Sequence, residues 1–246
     1  MNSTILNLIS KMSDDTYRPG EIVVNGVFES GKTVYSHAYE EVKNLDKKGL
    51  LVDLYLFLDK ENDTTKRQHA FFIIGNIAKN SNDLNATKYL VEALSKEKEK
   101  NTLITILNLL PDLFKPLSID LSPVYNLTTN RNWHVRGLSF AALTNTENKV
   151  EDFLIDKLKG TDNKDDIQYL LYAIQNIGTK KSLVVVEPHL KNRKPNIKST
   201  AQSVVALIMI REGFSDNDIV KKLKLPTTSI LIQTLRERIS LLTKPG

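Results

Sequence analysis

The chain has 246 residues, 41% of them hydrophobic and 26% charged, an ordinary composition for a folded globular protein. It has no cysteine, which excludes disulfide staples, thiolate nucleophiles and the usual structural zinc sites together. The net charge of +5 is gathered at one end: residues 1–60 carry −2, residues 61–130 and 131–190 are each balanced, and residues 191–246 carry +7.

The N-terminus lacks a basic leader, and its apolar run Ile5-Leu6-Asn7-Leu8-Ile9 is broken by polar residues, so a short amphipathic helix is expected there, not a signal peptide. No apolar stretch approaches the roughly 20 residues that cross a bilayer. The expectation is a soluble, cytoplasmic protein without a membrane partner. Next comes Gly26-Val27-Phe28-Glu29-Ser30-Gly31-Lys32-Thr33, which satisfies the phosphate-loop pattern G-x-x-x-x-G-K-[ST]. Val27 and Phe28 are bulky where such a loop must curl around an anion, and helical periodicity follows where parallel strands are required. The preferred reading is a hairpin turn at Asn25-Gly26, then Ser30 capping a helix from Lys32.

From residue 35 onward similar segments recur, each with an apolar stripe at helical spacing and most with an alanine at its start or within it. It is clearest at Arg67…Ala70-Phe71-Phe72-Ile73-Ile74-Gly75-Asn76-Ile77-Ala78. It returns at Lys100–Leu110, Val135-Arg136–Leu143, Ile167–Gly178 and Lys198–Ile208, and more weakly from Tyr35. Anchors at 35, 67, 100, 136, 167 and 198 give a period of roughly 30–40 residues, the length of a helical-pair repeat. A second helix is expected in each period, over 48–59, 84–97, 119–129, 148–159 and 180–191. Turns fall at Asn80–Asp83, Thr144–Thr146 and Gly160–Asp162.

The Arg67…Ala70…Gly75, Val135-Arg136…Ala141 and Ala173…Ile177-Gly178 runs resemble the HEAT-repeat (armadillo-type) family over about residues 32–213. The resemblance implies an all-α fold, a right-handed α-solenoid of about six HEAT-like helix pairs, and a binding scaffold more than an enzyme. One pair cannot bury its apolar face alone, so stacked neighbours share a core and polar caps close the ends. Residues 1–31 read as an N-terminal cap with a short helix and a candidate hairpin, 32–213 as the repeats, and 214–246 as a basic C-terminal capping pair. About 14 helices are expected, with strand confined to residues 21–29. Ala70, Leu107, Ala141, Ala173 and Ala201 are expected where helices approach closely. Where the family places an Asp six residues before the Arg of its inter-repeat ladder, this chain has Glu61 and Asn130.

Three groups of residues are candidates for binding. Trp133, the only tryptophan, with Tyr169 and Tyr172, has the character of interface anchors. Lys191, Arg193, Lys194 and Lys198, with Lys221, Lys222 and Lys224, form a basic end suited to phosphates. The run Ser215–Ile230 resembles the helix-turn-helix of bacterial transcription regulators, but its second helix opens with Leu231 and Ile232, too apolar to read base edges, which fits a capping pair better. His37, His69, His134 and His189 are scattered without metal-ligand spacing and read as helix-surface residues. Repeat-built DNA-alkylation glycosylases match in length and basicity only, since they need several Trp around a catalytic Asp. No catalytic residue, metal or cofactor is expected. The sequence reads as a non-enzymatic scaffold that binds a protein on a concave face lined by the second helices, with nucleic-acid binding by the basic end as the alternative.

Overall fold

The computed structural model describes residues 3–14, 23–24, 27–28, 33–225, 233–234 and 236–237. The fold is all-α. In chain order the described residues form α1 (Ser3–Met12), β1 (Val23–Val24), β2 (Val27–Phe28), α2 (Val34–Lys43), α3 (Leu51–Leu58), α4 (Thr64–Ser81), α5 (Leu84–Ala93), α6 (Lys100–Leu109) and α7 (Ser122–Leu127). They continue with α8 (Trp133–Ala142), α9 (Glu151–Lys159), α10 (Lys164–Ile177), α11 (Leu183–Val186), α12 (Pro195–Arg211) and α13 (Asp216–Leu223). The strands pair antiparallel, Val23 opposite Phe28 and Val24 opposite Val27. The phosphate-loop-like string otherwise lies almost wholly outside the described residues, Lys32 included.

The first helices of the pairs begin where side-chain caps and the apolar stripe agree. Asp63 accepts from the Lys66 amide at 2.9 Å to open α4, Asn132 opens α8 and Asn163 opens α10. Asn82, left-handed at φ 50°, closes α4 within the expected turn. The cap of α2 is Thr33, which accepts from the Ser36 amide, so the helix starts at Val34 and not at Lys32 after Ser30. The second helices are shorter than expected. Pro123 sits in the first turn of a six-residue α7, and Pro188 lies in a 3-10 segment, Glu187–Lys191, that follows a four-residue α11. A proline ring removes one backbone donor and crowds the preceding turn, so 180–191 breaks into short pieces.

The chain divides into two compact units, residues 1–130 with 145–148, and residues 131–144 with 149–246. In the first, α4 is central and packs on α2, α3, α5 and α6, with α1 against α2 and α4. Ile73, Ile74 and Ile77 of α4 and Ile106 and Leu107 of α6 are completely buried. In the second, α10 is central between α8 and α12, with α9 behind it, and α12 also meets the 187–191 segment and α13. Ala70, Leu107, Ala173 and Ala201 are fully buried, as expected. Ala141 is not: it is half-buried, and Ala142 takes the buried place, a register error of one residue.

Among the described residues, the side-chain hydrogen bonds Tyr39–His69, Lys79–Asp112, Arg136–Asp166 and Gln168–Thr200 join residues 30 to 33 apart. Arg67 pairs with Glu97 and also donates to the Leu58 and Glu61 carbonyls. Arg136 Nε donates to both carboxylate oxygens of Asp166 at 2.8 and 3.0 Å. Each arginine thus finds its acid 30 residues downstream and not six residues upstream.

Lys115 is the least foreseeable core residue. Its side chain is completely buried, and Nζ donates at 2.6 Å to the carbonyls of Leu110 and Leu113, just past the end of α6. Cations suit helix C-termini, but burial still pulls this amine down to about 7, against a smaller upward pull from Asp112. Its backbone holds segment 145–148: the Lys115 amide donates to Asn145 O, and Lys115 O accepts from the Glu147 amide and the Thr146 hydroxyl.

Candidate functional site

Helices α8, α10 and α12 run side by side in the same direction. Near their starts, Arg136 of α8 meets Asp166 of α10, and Gln168 of α10 donates to the Thr200 hydroxyl of α12 at 2.7 Å. At the other end, the Arg211 guanidinium of α12 donates to the Gln175 and Asn176 carbonyls of α10 at 2.9 and 2.8 Å. This alignment brings together residues far apart in sequence.

Trp133, Tyr169 and Tyr172 become one aromatic surface. Trp133 stacks on His134 at 5.1 Å and 22°, and lies 6.3 Å from the Tyr169 ring. Tyr169 meets Tyr172 edge-on at 6.5 Å. The approach is set by Gly137: a Cβ there would overlap the Tyr169 ring, so glycine lets the ring lie flat on α8. Trp133 is 48% and Tyr172 46% exposed, two large rings that this unit leaves facing solvent. Burial pushes the Tyr169 phenol up, helped by Tyr172 and Asp165. Asp166 is tied up by Arg136, so this arrangement offers no free carboxylate from Asp166 beside the tryptophan. The cluster stands on α8 and α10.

The basic candidates lie in the same unit. Lys191, Arg193, Lys194, Lys198, Lys221, Lys222 and Lys224 are all exposed. Lys222 reaches Glu187 at 2.7 Å, which ties α13 to the segment ending at Lys191. The run after Leu225 lies outside the described residues except for 233–234 and 236–237.

Sequence reading missed a second constellation, in the first unit. Tyr39 of α2 hydrogen-bonds His69 Nδ1 of α4 at 3.1 Å and packs on Phe72 at 4.9 Å. His69 is not a surface residue: it is 6% exposed, burial lowers its basicity, and its Nε2 has no partner. Tyr39, Gln68, Phe72, Asn76 and Asn108 line a groove of about 440 Å³ along α4. The 30-residue offset between Tyr39 and His69 was the available signal. His37 and His134 keep surface or partly exposed positions, and His189 is half-buried, its basicity lowered by that burial.

Among the described residues no three His, Cys, Asp or Glu side chains are grouped to hold a metal ion, and no helix is long and apolar enough to cross a membrane. In comparisons with known proteins, no family model and no curated protein matches the chain.

Proposed function

We propose that the chain is a non-enzymatic, HEAT-like helical-repeat protein that binds a partner protein through the aromatic face of its second unit. The single observation that carries this reading is the assembly of Trp133, Tyr169 and Tyr172 into one half-exposed cluster. Large rings cost a folded chain when left in water, and rigid aromatics supply most of the energy at protein interfaces. The repeat reading is supported by the parallel first helices and by polar ties one period long. With no cysteine in 246 residues, the cytoplasm is the proposed setting.

The test is affinity capture of the tagged chain from lysate of its own cells, treated with nuclease. A Trp133→Ala/Tyr172→Ala variant, whose substitutions are at exposed positions, should fold normally and lose the captured protein. Retention of the same partner at wild-type yield would refute the assignment.

A further inference from the structure

The second unit carries a basic edge that its own acids do not neutralise. Lys191, Arg193, Lys194 and Lys198 lie on the turn into α12 and its first turns, and Lys221 and Lys224 on α13. All six are exposed, and none forms an ion pair among the described residues. Three elements in mutual contact carry them: α12 packs on both the 187–191 segment and α13, and the Lys222–Glu187 pair joins the last two. The turn is shaped, not loose, since Asn192 Oδ1 accepts from the Lys194 amide at 2.9 Å.

Helix α10 opens with Asp165 and Asp166, and α13 with Asp216 and Asp218, as a helix dipole favours. Helix α12 opens on Lys194 with no acid in its first turn and no side-chain cap. In the first unit, Lys96, Lys98 and Lys100 alternate with Glu97 and Glu99, so a similar density of lysine yields little net field. No such alternation occurs from Lys191 to Lys198.

We propose that this edge binds the phosphodiester backbone of nucleic acid without reading sequence. A chain of closely spaced phosphates matches a row of fixed cations and gains by releasing counterions. An anionic membrane fits less well, because docking there needs apolar side chains beside the cations. Here Ile219 and Leu223 of α13 are buried, and Trp133, Tyr172 and Val184 are the large apolar side chains described as exposed in this unit.

The experiment measures fluorescence anisotropy of a labelled 20-nucleotide DNA, single-stranded and duplex, against the full chain across a salt series. Three proteins are compared: wild type, Lys191→Ala/Arg193→Ala/Lys194→Ala, and Lys96→Ala/Lys98→Ala/Lys100→Ala, which removes the same charge from the first unit. Wild type should bind at low salt. The second-unit triple should weaken binding at least tenfold and flatten the log–log salt slope on duplex by up to about 2.7, roughly 0.9 for each lost phosphate contact. The first-unit triple should stay within twofold of wild type. Absence of wild-type binding at low salt would overturn the proposal, as would equal losses in both triples, which would mark a net-charge effect. Binding of phosphatidylserine vesicles or polyglutamate as tight as that of DNA would overturn it too, in favour of a lipid or an acidic protein.

Discussion

The two units distribute charge differently, and both leave aromatic rings half-exposed, Tyr35 and Phe114 in the first and Trp133 and Tyr172 in the second. The first has 15 basic and 18 acidic side chains, and several of its aromatics meet one another: Tyr55 stacks on Tyr89 at 4.0 Å, and Tyr39 is tied to His69 and Phe72. Burial raises the Tyr55 and Tyr89 phenols to about 12. The second has 19 basic and 11 acidic side chains and leaves Trp133, Tyr172 and a row of cations at its surface. A repeat constrains the buried stripe and the ties between neighbours. What the outward positions carry is free to differ, and that freedom is where binding evolves.

The largest effect that would sharpen this contrast is the loss of an internal tie in the first unit. Arg67→Ala removes an ion pair with Glu97, which is 9% exposed, and two carbonyl contacts, and should cost about 3–5 kcal/mol in urea unfolding. Arg136→Ala should cost less, because Asp166 sits in the first turn of α10, where the helix dipole still favours its charge. Equal costs would say that the two arginines do the same work.

Lys115 gives the first unit a pH dependence above neutral. Its folded pKa of about 7 lies below the ordinary 10.5, so between these values the unfolded chain binds the extra proton. Stability should therefore rise as pH increases from 7 toward 10, on the order of 1.4 kcal/mol per pH unit at most, and this contribution is absent below 7. Unfolding at pH 6, 7.5 and 9 should show the rise, and Lys115→Met should flatten it. A slope unchanged in the variant would place the titration elsewhere.

Smaller effects test packing. Ala142→Leu should overpack the second unit by roughly 1–3 kcal/mol while Ala141→Leu stays near neutral. Gly137→Ala should destabilise, since the added Cβ meets the Tyr169 ring near its attachment. Gly75→Ala meets the methyl groups and Cγ of the flexible Leu109 side chain, and the alanine's helix preference, about 1 kcal/mol, offsets part of that strain. If both glycine variants behave alike, the flat approach of Tyr169 is wrong.

The apolar stripes of the first helices were legible, whereas their caps, Asp63, Asn132 and Asn163, emerge only with the structure. The aromatic site was legible as a set of residue types, but its contiguity depends on a repeat period that brings Tyr169 onto Gly137. The buried Ala142 was missed by one position, because Ala141 and Ala142 satisfy the same pattern and only packing distinguishes them. The arginine ties were missed because their acids lie 30 residues ahead, a tertiary fact. Lys115 sits between Phe114 and Pro116 in a stretch without periodicity, and nothing local announces that a lysine there is buried.

Trp133 is the only tryptophan, so it reports on the aromatic face without interference from the rest of the chain. With 5-fluorotryptophan incorporated, the protein should give one fluorine resonance. On adding nuclease-treated lysate from its own cells, that resonance should shift or broaden, and Tyr172→Ala should reverse the change. If the protein is recovered in a complex while the Trp133 resonance stays where it is in the free protein, the aromatic face is not the docking surface.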